Sequence, residues 1–82
     1  MSIIIVERNF PSAPSDADLQ AAADRQIPCM KTYNVTWKRS LLSADHLRMV
    51  CEYEAGDAES VRKVQREAAA YFDRAWVATP IV

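Results

Sequence analysis

Four consecutive β-branched residues, Ile3 to Val6, constrain this chain more than any other feature. Successive side chains of a strand point to opposite faces, so the run is apolar on both. A strand of that kind belongs inside a sheet with cover on each side. Pro11 and Pro14 end it, since proline brings no amide donor to a ladder, and the spacing predicts a strand over Ile3–Phe10. Glu7 and Arg8 interrupt the apolar run. A charge projecting from mid-sheet is costly unless paired or solvated, so Glu7 either stands in water at the strand end or lines a polar cavity.

"SDADLQAAADRQ" follows, with Ser15 or Asp16 as N-cap and Leu19, Ala22, Ala23, Ile27 and Met30 at helical spacing. Pro28 lies within this pattern and predicts a kink or restart near Gln26–Cys29. "VTWKRSLL" sets Val35, Trp37, Arg39 and Leu41 against Thr36, Lys38, Ser40 and Leu42, and "LRMVCEYE" sets Leu47, Met49, Cys51 and Tyr53 against charged neighbours. These are two strands joined by the short polar hairpin "SADH". Asp57 caps a second helix with Val61, Val64, Ala68 and Phe72 inward and Arg62, Lys63, Gln65 and Arg66 outward. "RAWVATPIV" supplies a last strand, closed by Pro80.

The order β-α-β-β-α-β predicts a ferredoxin-like α+β fold over residues 1–82 as one domain, a four-stranded antiparallel sheet with both helices on one face. The helices cover only one side of the two-sided first strand. A second copy, sheet against sheet, is the simplest cover for the other, which makes a homodimer of the dimeric α+β barrel type with a cavity between the sheets. A chain of 82 residues also gains appreciably from such an interface.

Ten basic and eleven acidic side chains leave no charge excess to attract nucleic acid or an anionic membrane. The amino-terminal apolar run is too short for a membrane span and lacks the flanks of a signal peptide, so the cytoplasm is the expected compartment. Cys29 and Cys51 are then expected as thiols.

"VER" closing the first strand, "DLQAAADRQIPCMK", "MVCEYEAGDAESVR" and "FDRAWVAT" together resemble the small ferredoxin-like domain-of-unknown-function family 4242, sometimes called nickel-binding proteins. The resemblance runs nearly end to end, and "CEYEAGDAESVR" is its most specific part, with Gly56 where that family usually has proline. It implies a metal or small-ligand function, with nickel as the cofactor to consider. Many members carry one histidine after the tryptophan of the second strand and another in the second helix. The matching stretches here read Trp37, Lys38, Arg39 and Val61, Arg62, Lys63, Val64. No metal ligand is assigned.

The only histidine, His46, falls in the hairpin beside Asp45 and reads as an exposed turn residue. Cys51 shares a face with Met49 and Tyr53 and reads as core filling, since free cysteine is among the most buried residue types. Cys29, after Pro28, is expected near unpaired amides that would activate a thiol for ligand binding. Trp37, Lys38 and Tyr53 are the other candidate ligand-binding residues. Trp76 and Phe72 are expected under the second helix. The first functional expectation is a small molecule or metal bound in a cavity at the sheet. The alternative is a cofactor-independent isomerase, cyclase or oxygenase using Glu7 or Glu52 for proton transfer.

Overall fold

The computed structural model describes residues 1–81; Val82, at the end of the segment expected to close the sheet, lies outside the described residues. Six elements follow the expected order: β1 (Ser2–Asn9), α1 (Asp16–Thr32), β2 (Thr36–Leu42), β3 (Arg48–Ala55), α2 (Ala58–Glu67) and β4 (Arg74–Ala78). The strands lie in the order β2-β3-β1-β4, every neighbouring pair antiparallel. This is the ferredoxin-like arrangement.

The branched run in β1 occupies an interior strand, as its two-sided pattern requires. Ile4 stands between Tyr53 and Val77, and Val6 between Cys51 and Ala75, all facing the helices. Ile4, Val6, Cys51, Tyr53, Ala55 and Ala75 form the core with Val61 and Val64 of α2. Each large aliphatic side chain enclosed there contributes about 1.5–3 kcal/mol. Ile3, Ile5, Glu7, Val50, Glu52 and Glu54 face the other way, on a side that no element among the described residues covers.

Both helices begin on the expected caps. Ser15 Oγ accepts from the Asp18 amide at 3.0 Å while an Asp18 carboxylate oxygen accepts from the Ser15 amide at 3.2 Å, a reciprocal capping box. Asp57 accepts from the amide of Ser60 at 2.8 Å. α2 stops at Glu67, and Ala69 then takes a left-handed φ of 53°. Phe72, expected on the inner face of that helix, reaches the core from the loop that follows.

The structure corrects four further expectations. α1 runs unbroken through Pro28: the Pro28 carbonyl accepts from Thr32 Oγ1 at 3.1 Å and the Tyr33 amide closes onto the Cys29 carbonyl, also at 3.1 Å, so there is no restart. Second, the alternation of β2 breaks at a bulge between Trp37 and Arg39, where Lys38 is the extra residue. Ser40 and Leu42, expected on the open face, therefore lie with Trp37 on the helix side, opposite Cys51 and Met49. Third, Gln65 is fully buried instead of solvated, because the inward-facing Arg8 requires an acceptor there. Fourth, Trp76 pairs with Ile5 and lies on the open face, where its indole N–H donates to Glu7 at 2.6 Å.

The hydrogen bonds of Ser60 to the Asp57 carboxylate hold it below its ordinary value of 3.8. A depressed carboxyl pKa gives stability that is present above 3.8 and lost as pH falls through the folded value. Asp57→Ala should lower the melting temperature at neutral pH, and thermal melts of parent and variant should converge as the pH falls below 3.8.

Candidate functional site

α1 packs chiefly against α2, and Gln26 is its one buried residue. Its apolar stripe is the one read from the sequence, but Leu19, Ala22 and Ala23 face a cavity, and only Met30, at the far end, also packs against the core. Leu19, Ala22, Ala23 and Met30 form one wall of a space of about 820 Å³ whose opposite wall is the helix side of β2 and β3. β2 is exposed over almost its whole length. Trp37, Ser40 and Leu42 line the cavity from that strand, and Met49, Cys51 and Tyr53 from β3. The bulge at Lys38 turns Trp37 and Ser40 to this side together, and the Trp37 indole N–H donates to Ser40 Oγ at 3.0 Å.

The cavity floor is polar and hydrogen-bonded. Arg8, 4% exposed, directs Nη1 to Cys51 Sγ at 3.0 Å and Nη2 to the side-chain carbonyl of Gln65. Gln65 Nε2 then donates to Gln26 Oε1 at 3.1 Å, and the Tyr53 hydroxyl donates to the same oxygen at 2.7 Å. Ser40 Oγ donates to Cys51 Sγ at 3.0 Å. Burial pushes the Tyr53 phenol above its ordinary value, reinforced by Cys51 and opposed by Arg8, so it stays a neutral donor at physiological pH. Cys51 is buried as expected, and it also joins this polar network. Arg8, Gln26 and Gln65 are not among the candidate site residues read from the sequence. Arg8 was within reach, since it continues the inward alternation of Ile4 and Val6.

The other candidates separate into three places. Glu7, Lys38 and Glu52 belong to the open face of the sheet or its β2 margin. Glu7 accepts from Trp76 and lies 3.8 Å from Arg74, Glu52 is paired with Arg39 at 3.3 Å, and Lys38 is paired with Glu54 at 2.9 Å. The Glu54 partner raises the Lys38 pKa. Trp37 and Tyr53 are together in the cavity. Cys29 is half-buried against the core, its thiol 3.7 Å from the Arg25 carbonyl. The uninterrupted helix gives it no second N-terminus.

The family model for the nickel-responsive protein SCO4226-like group matches residues 5–77. The chain belongs to this SCO4226-like family. The match carries that description and not the 4242 designation. The crystal structure of SCO4226 from Streptomyces coelicolor A3(2) superposes with a TM-score of 0.86 at 16% identity, over 99% of this chain and 100% of that one. At that identity the likeness shows the fold. No curated protein matches the chain.

The family description makes nickel the metal to test against the residues present. Nickel favours imidazole and thiolate donors. His46 stands exposed in the β2–β3 hairpin, Cys51 lies under the sheet and Cys29 is on α1, and no three His, Cys, Asp or Glu side chains gather anywhere among the described residues. The donor set of one chain does not fit a metal centre.

The floor network makes a stability prediction. Gln65→Leu leaves Arg8 Nη2 buried without its acceptor and should cost about 2 kcal/mol or more, whereas Tyr53→Phe removes one of two donors to Gln26 and should cost about 1 kcal/mol. Adding Arg8→Met to Gln65→Leu should recover part of the loss, because the stranded charge is then gone. Urea denaturation of the three variants checks the order.

Proposed function

We propose that this member of the SCO4226-like family is a small-molecule-binding protein that receives a compact, largely apolar ligand between α1 and the sheet. One observation carries the reading: most of the apolar stripe of α1, Leu19, Ala22 and Ala23, lines a space instead of a core. A helix stripe left without protein is an unmet demand for apolar cover. A volume near 820 Å³ suits a small organic molecule, with aromatic and aliphatic walls and a few convergent polar groups at the floor. Trp37 and Tyr53 are the ligand-facing aromatics in this reading. Nickel enters only through the family description, since the chain gathers no donor set for it among the described residues.

The probe is Nile red, an uncharged dye that brightens in apolar sites. The parent protein should raise its emission, and Ala22→Trp, which fills the cavity from α1, should weaken binding about tenfold or more, equivalent to about 1.4 kcal/mol. Equal binding by the two proteins would remove the cavity from consideration.

We further propose that the working unit is a homodimer closed over the open face of the sheet. Its support is the apolar surface there: Ile3 and Ile5 on β1, Val50 on β3, Leu41 at 58% exposure and Trp76 at 44%. Glu7 and Glu52 face that side, each already holding a donor, and would act on a substrate only inside a space closed by a second sheet. Val50→Glu should shift the protein from dimer to monomer in light scattering at micromolar concentration while leaving its circular dichroism unchanged. A monomeric parent would overturn the dimer.

A further inference from the structure

The floor of the α1–sheet cavity has a surplus of hydrogen-bond donors. Arg8 offers donors only, and its partners are a sulfur at 3.0 Å and the Gln65 amide oxygen, neither of them a carboxylate. None of the ion pairs among the described residues includes it. Two donors, Arg8 Nη1 and Ser40 Oγ, converge on Cys51 Sγ, which is a weak acceptor. On the other side, two more converge on Gln26 Oε1. That orientation leaves the Gln26 Nε2 donors, which no hydrogen bond among the described residues uses, on a residue that lines the same cavity. A guanidinium nearly removed from water, with no carboxylate among its partners, is a buried charge open to an anionic partner.

We propose that the ligand of this cavity is a monocarboxylate whose head group sits on Arg8 beside Gln26 and whose apolar body lies between Trp37 and the α1 stripe. This rests on the reading of the cavity as a small-molecule site. The guanidinium fork matches a carboxylate in bidentate geometry and forms a stronger bond with it than with a neutral acceptor. The rim restricts the other end of the ligand. Asp16, Asp18 and Asp24, all exposed, line the same cavity from α1, so a second anionic group directed outward meets carboxylates of its own sign. The other guanidinium on that wall, Arg25, is held by the Ala68 and Ala69 carbonyls at 2.7 and 3.3 Å. One anionic head and an uncharged body satisfy both ends.

Naphthoate, its neutral amide naphthamide and naphthalene dicarboxylate are the probes, titrated into the parent protein while the two indole N–H resonances are followed by NMR. Trp37 lies in the cavity and Trp76 on the opposite face, so the second is an internal control. Naphthoate should shift Trp37 and spare Trp76, binding about tenfold tighter than naphthamide, with the dicarboxylate weaker than naphthoate. Arg8→Gln should abolish the preference for acid over amide. Naphthamide binding as tightly as naphthoate would overturn the carboxylate head while leaving a small-molecule cavity standing. A dicarboxylate as tight as naphthoate would overturn the single charge. If none of the three moves Trp37 at millimolar concentration, the cavity reading falls and the carboxylate with it. The comparison in the parent protein decides these outcomes even where Arg8→Gln does not fold.

Discussion

The guanidinium of Arg8, held beneath the sheet, ties every part of the helix side to every other. It projects from the interior strand β1, meets β3 through Cys51 and α2 through Gln65, and through Gln65 reaches Gln26 on α1. A purely aliphatic core in this place would let α1 settle on the sheet wherever its stripe fitted best. A directional network fixes where the helix stands, because each donor needs its acceptor at hydrogen-bond distance. α1 is consequently anchored at Gln26 and stands away from β2, and the cavity is the space this leaves.

The sequence made the architecture legible because its strongest signals are local and agree with one another. The branched run of β1, the Ser15 and Asp57 caps, and the alternation of Met49, Cys51 and Tyr53 each correspond to an observed element. Pattern reading failed where one residue changes a period or where a polar side chain faces inward. The bulge at Lys38 moves Ser40 and Leu42 across the sheet, an event that strict alternation has no means to signal. Gln65 occupies a helix position that a polarity pattern assigns to solvent, and only the partner Arg8, distant in sequence, explains its burial. The same non-local pairing hid Gln26. Trp37 and Tyr53 were recognisable as candidates, but that they share a cavity while Glu7 and Glu52 face away from it is a result of packing.

The two faces of the sheet therefore present different kinds of surface. On the helix side the polar groups are buried, few and directed at one another, under walls that are otherwise apolar. On the open side charges lie in cross-strand pairs between Ile3, Ile5, Val50 and Trp76. The family's connection with nickel has to be reconciled with a chain whose soft donors, His46, Cys29 and Cys51, are dispersed over a hairpin, a helix and the sheet interior.

β2 is an outermost strand, solvated on both faces, and its free backbone edge is the place where another chain's strand would add. The bulge at Lys38 interrupts the regular spacing of amide and carbonyl groups along that edge, and it sets a lysine, paired with Glu54, at the interruption. The extra residue that shapes the cavity on one side thus also spoils the template for uncontrolled strand addition on the other. One inserted residue opens the cavity wall and guards the bare edge strand against polymerising.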